Sequence, residues 1–215
     1  MKRLFFILPF ILLAFLLSSC IDMETKSVLE KDGSGKMDIH YWTKNSNISN
    51  DEFKGFGFTE QKVKDNYNSS NSEVTEVKVE KNETDTTTHV RLTLKYKDIN
   101  KLTDAKAFQN KIKPSWKKGD DGYDFSYVLL KDTTVSGATN KLNYEFEFPG
   151  EVLKTNGTKD GNKVKWEHKL GDISKDDVPL NATIKVKGGC GLFGLELPLI
   201  TLVGVVVAYG LRRKR

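Results

Sequence analysis

The chain has 215 residues, 38% of them hydrophobic and 29% charged, with a formal net charge of +5 and a pI near 9.0. A basic balance of this kind points to nucleic acid or acidic lipid only if the charge sits on the folded part. Of the 34 basic and 29 acidic side chains, Lys2, Arg3, the four basic residues at 212–215 and Glu196 lie at the two ends, which leaves 28 of each sign between them. The interior is neutral, no nucleic-acid partner is expected, and roughly 170 residues are enough for one compact domain but short for two.

At the start, Lys2 and Arg3 precede an almost unbroken apolar run over 4–17, followed by Ser18, Ser19 and Cys20. That is the layout of an exported leader. Leu17-Ser18-Ser19-Cys20 resembles the bacterial lipobox, which implies cleavage between Ser19 and Cys20 and a diacylglyceryl group on the Cys20 thiol, with palmitate-type chains. Each buried methylene contributes about 0.8 kcal/mol, so a lipid with two or more chains anchors stably. Residues 1–19 are read as a signal peptide and 20–187 as a lipid-anchored ectodomain. An ordinary leader with an incidental cysteine is the plainer alternative.

The ectodomain reads mostly as strands. Segments 26–30 and 36–43 flank Asp32-Gly33-Ser34-Gly35, a hairpin turn too short to cradle phosphate. Phe53, Phe56 and Val63 mark a short interrupted helix over 51–66. Strands follow over 73–80 and 87–96, joined by a turn at 82–85. Ile99, Leu102, Ala105 and Phe108 predict an amphipathic helix over 97–110, with Asp98 as its cap. Asp120-Asp121-Gly122 is a turn, and further strands are predicted over 123–130, 142–148, 164–168 and 182–186. The order indicates an α+β domain with a largely antiparallel sheet and about two helices.

Past the domain, Gly188, Gly189, Cys190 and Gly191 form a stalk or sorting motif. Residues 192–211 then give an apolar stretch that, at about 1.5 Å per residue, spans the roughly 30 Å hydrocarbon core as a transmembrane helix. The basic tip 212–215 belongs on the cytoplasmic side, which puts the domain outside, periplasmic or at the cell surface, where a lipid on Cys20 also requires it. The same tail resembles three-part C-terminal sorting signals of some Gram-negative bacteria, with processing at Gly189 and Cys190. The two readings differ in whether the helix survives.

Tyr144 to Gly150, then Val152, Thr155-Asn156-Gly157, Val164-Lys165-Trp166 and Leu180-Asn181-Ala182 occur in an order that resembles the end of an LppM-type lipoprotein domain. Val90 to Leu102, a strand entering a helix through Asp98-Ile99-Asn100, is also similar to that family. The resemblance implies a lipid-binding-like fold at the bacterial cell envelope with no catalysed reaction. No residue pattern argues for an enzyme. His40, His89 and His168 are scattered, Gly-X-Ser-X-Gly and His-Glu-X-X-His motifs are absent, and no metal site or cofactor is expected. The expected function is binding of a lipid or other amphipathic envelope component, with Phe125, Tyr144, Phe146 and Phe148 as an apolar pocket and Phe53, Phe56, Phe58 and Phe108 as further candidates. A non-catalytic scaffold docking an envelope protein is the alternative.

Overall fold

A computed structural model describes residues 21–186. The expected signal peptide, Ser19, Cys20, Gly189, Cys190 and the 192–211 span lie outside the described residues. Within them, no helix is long and apolar enough to cross a membrane.

The chain opens with a hairpin of β1 (Asp22–Leu29) and β2 (Gly35–Lys44). Asp32 accepts from both the Ser34 amide and hydroxyl, and Gly33 takes φ 89° to close the turn. Glycine at 35 answers a close approach, since a Cβ there would collide with the Val28 carbonyl and the Tyr96 hydroxyl. Period-two alternation buries Thr25, Ser27 and Leu29 of β1 with Met37, Ile39 and Tyr41 of β2.

Residues 51–66 depart from the expected interrupted helix. Asn50, Asp51, Lys54 and Gly55 all adopt positive φ, and the chain makes a small hairpin of β3 (Glu52–Phe53) and β4 (Phe56–Gly57). Only α1 (Glu60–Tyr67) is helical, starting where the Thr59 side chain accepts from the Lys62 amide. Left-handed residues on both sides of Glu52-Phe53 interrupt a helix at each point, so the three-residue spacing of Phe53 and Phe56 reflects a turn.

The pair β5 (Ser72–Asn82) and β6 (Thr87–Tyr96) follows as expected. The predicted second helix over 97–110 is instead a 3-10 segment, Ile99–Asp104, and a run of turns. Ile99 and Leu102, three apart, fall within it, a spacing that matches the 3.0 period of the 3-10 helix and not the 3.6 of an α-helix, while Ala105 and Phe108 lie in the turns. Asp98 does cap it, accepting from the Asn100 amide at 2.9 Å.

Strands β7 (Ile112–Lys118) and β8 (Tyr123–Leu129) form the next hairpin, and β9 (Lys141–Glu147), β10 (Glu151–Thr155), β11 (Thr158–Asp160), β12 (Lys163–Lys169) and β13 (Val178–Lys185) complete the domain. Strand β7 is unannounced in the sequence because Pro114 and its lysines disguise it. It lies at a sheet edge, where proline is tolerated.

The result is mostly sheet, with one α-helix among the described residues. A seven-stranded sheet runs β11-β12-β9-β1-β2-β6-β5 and a four-stranded sheet β10-β13-β8-β7. All neighbours are antiparallel except β1 and β9, whose parallel pairing brings the first strand beside one about 120 residues later. Two lids cover one face of the large sheet. Over β9 and β12 lies the small sheet, with Phe125 packed 4.7 Å from Phe146 and 4.9 Å from Phe148. Over β2, β6 and β5 lie α1 and the β3-β4 hairpin, with Phe56 and Phe58 against Tyr41 at 5.0 and 5.5 Å.

Candidate functional site

Where the two lids meet, the large sheet keeps a cavity of about 360 Å³. Its floor is Met23 and Thr25 of β1, Ile39 of β2, and Leu142 and Tyr144 of β9. Tyr67 and Phe56 come from one lid, Ile112, Tyr127 and Leu129 from the other, and turn residues such as Phe108 and Val135 fill the remaining wall. Ile21, the first described residue, is also in the wall.

Two kinds of polar group break this apolar lining. Tyr67, Tyr127 and Tyr144 are almost fully buried, and all three line the cavity. Burial pushes all three phenol pKa values up, and for Tyr127 the neighbouring Tyr144 and Tyr67 add to it. They stay neutral donors at any physiological pH. The second group is a charged rim of Lys54, Lys111, Lys131 and Asp132. The Lys111 ammonium lies 4.6 Å from the centre of the Phe56 ring, and burial holds its pKa below the ordinary lysine value. Asp132 is held low by the Thr134 hydroxyl and amide, with help from Lys54 and Lys111. Lys54 and Asn110, both at this rim, take left-handed backbone (φ 49° and 57°), a conformation unfavourable for residues with a Cβ.

A family model of the LppM domain matches residues 29–182, well over half of the chain. The chain belongs to the LppM domain family. The fold is similar to that of the folded domain of the Mycobacterium tuberculosis LppM protein, determined by NMR, with a TM-score of 0.51 at 15% identity, covering 80% of this chain and 93% of that one. At such identity the likeness is one of fold. No curated protein matches.

Within this LppM domain the aromatics singled out from the sequence separate. Tyr144 lines the cavity, as do Phe56 and Phe108. Phe125, Phe146 and Phe148 do not line it. They pack on one another and near Trp166 between the two sheets, which makes them core and not pocket. Phe53 and Phe58 are likewise outside the lining. Sequence reasoning missed Tyr67, Tyr127 and the three lysines. The legible signal was a tyrosine at 127 between Phe125 and Leu129 on the buried face of β8, where phenylalanine packs equally well unless the hydroxyl has a use.

The histidines stand elsewhere on the LppM domain. On the outer face of the large sheet, His40 Nε2 lies 3.0 Å from His89 Nδ1, His89 Nε2 lies 2.9 Å from the Thr87 hydroxyl, and Trp42 stacks on His40 at 4.5 Å. His168 is 3.7 Å from Asp172. Among the described residues no three His, Cys, Asp or Glu side chains are grouped to hold a metal.

Proposed function

We propose that this LppM domain binds an amphipathic, lipid-like component of the bacterial envelope without catalysing its conversion. The apolar chain occupies the cavity, the polar head lies among Lys54, Lys111 and Lys131, and a carbonyl or hydroxyl near the head accepts from the tyrosines. The observation that carries this reading is the cavity itself. Its volume falls in the about 300–1,000 Å³ range of small-molecule sites, and its lining is apolar with a few convergent polar groups. The position of Ile21 adds support, because a lipid on Cys20, the preceding residue, would hold this cavity beside an outward membrane surface. A surviving 192–211 helix would pin the domain at its other end. A scaffold role, in which a protein partner docks on the domain, draws its support from the open outer edge of β5.

Native mass spectrometry of the full chain, taken from its own membranes in mild detergent, tests the binding. The expected result is a bound species of lipid mass beyond the covalent anchor, reduced several-fold by Lys54→Glu with Lys131→Glu. A chain that carries no lipid and takes none from an envelope extract sinks the proposal.

A further inference from the structure

Four strands form the edges of the two main sheets, and three are built to refuse a further strand. β11 has three residues, β10 is interrupted by a bulge between Val152 and Lys154, and β7 carries Pro114 among lysines. β5 is different. It has eleven residues, and beyond a bulge between Val74 and Glu76 it pairs regularly with β6 over 76–82.

The backbone groups left open on β5 follow from the ladder. Lys97 donates its amide to Asn71 on the β5 side of β6, and alternation turns Thr93, Arg91 and His89 the same way. Their partners Glu76, Lys78 and Glu80 therefore bond toward β6, so Val77, Val79 and Lys81 turn N–H and C=O to the free side. Ahead of the bulge the edge is closed, because the outward Val74 amide donates to Asn68 Oδ1 at 2.7 Å. The open segment also carries Val79, one of three large apolar side chains exposed on the described domain, at 36%.

We propose that β5 pairs with β5 of a second copy of this chain, antiparallel, about a two-fold axis through Val79. The inference stands apart from lipid binding. In that register Val79 meets Val79 and exchanges both backbone bonds with it. Val77 does the same with the partner's Lys81, Lys78 lies opposite the partner's Glu80, and Glu76 opposite the partner's Asn82. Lys78 already contacts Glu80 of its own strand at 2.8 Å, so the axis gathers two lysines and two glutamates of alternating sign. Moving the axis by one residue sets Lys78 against Lys78 or Glu80 against Glu80, and like charges directly opposite are destabilising. Moving it to Val77 sets the Thr75 bulge against Val79. The charges on this edge thus repel a slipped copy and match this one, and the contact is isologous and closed, so it ends at a dimer.

The test uses the full chain in its native membrane. Two Val79 Cα atoms in a hydrogen-bonded pair are about 5.5 Å apart, within the about 4.4–6.8 Å a disulfide spans. Val79→Cys should give a disulfide dimer under mild oxidation, above the background of the unsubstituted chain, whose own cysteines are Cys20 and Cys190. Val77→Cys should not, because its two copies stand about 13 Å apart along the strands. Adding Lys78→Glu to Val79→Cys should lower the cross-link at least about fivefold, and adding Glu80→Lys as well should restore it. Equal cross-linking at 77 and 79, indifference to Lys78→Glu, or no rescue by the double exchange each overturn the proposal. The same charge series, read as dimer fraction of the chain without added cysteine in mild detergent, gives a second readout with the same two outcomes.

Discussion

Tyr127 of β8 and Tyr144 of β9 approach each other from opposite sheets, their ring centroids 5.7 Å apart and tilted by 48°. One flank of this pair is the aromatic core of Phe125 and Phe146, and the other is the cavity. The pair therefore marks the line at which close packing between the sheets gives way to open volume.

Tyr144→Phe should leave stability within about 1 kcal/mol, since it keeps the ring and removes one hydroxyl from a residue of the cavity wall. Lipid retention should fall several-fold. Urea unfolding and native mass spectrometry on the same sample check this. A loss of stability above about 2 kcal/mol with retention unchanged would show that the hydroxyl serves the fold.

Lys111→Met keeps an unbranched chain against Phe56 and removes an ammonium whose pKa burial depresses. The domain should be as stable as before or more stable, by up to about 1 kcal/mol, while affinity for vesicles of acidic lipid decreases relative to neutral ones. Unfolding curves and vesicle co-sedimentation report the two effects separately.

On the outer face, burial first, then the Arg91 and His89 charges, hold the His40 pKa down at about 4, against the opposing pull of Glu24. The unfolded chain takes up this proton near 6.5, while the folded one refuses it until about 4. The His40 contribution is thus complete above pH 6.5 and is lost progressively as pH falls toward 4. Urea midpoints at pH 7 and pH 5 should differ more for the natural chain than for His40→Gln. Equal differences would show that His40 does not carry this dependence.

Asn156 ties the turn after β10 to two other strands. Its Oδ1 accepts from Trp166 Nε1 and from the Asn181 amide, each at 2.8 Å, and its Nδ2 donates to the Pro179 carbonyl at 2.7 Å. Asn156→Ala leaves an indole and an amide unsatisfied and should cost about 1–3 kcal/mol in unfolding free energy. Asn156→Asp retains the acceptor, loses the donor and should fall between the two. A neutral alanine would mean that water replaces the side chain.

Much of the sheet was legible because strands announce themselves by alternation. Val90, Leu92, Leu94 and Tyr96 outline β6 to the residue, and Tyr144 and Phe146 show the buried face of β9. Of the two expected helices, the first holds only in its second half, as α1, and the second is not α-helical, because a three-residue spacing was read as helical. At Phe53 and Phe56 it belonged to a hairpin, and at Ile99 to Phe108 to a short 3-10 segment followed by turns. Strand β7 was hidden because nothing local says that Pro114 lies on an edge.

The site was less legible than the fold. Burial identifies an aromatic residue as internal, but whether it faces a neighbour or a void depends on how two sheets and a hairpin are offset. Phe125 and Tyr127 sit two residues apart on one strand face, and one is core while the other borders the cavity. By itself the sequence determined the neutral charge of the domain, most of its strands and its family likeness, because these depend on composition, local periodicity and residue order. Tertiary structure alone decided that β1 pairs in parallel with β9, that the two lids leave a gap over the large sheet, and that β5 keeps an open edge. The first two join segments far apart in the chain and the third depends on which strands those contacts leave unpaired, and such contacts are set by packing and long-range hydrogen bonds that no local pattern encodes.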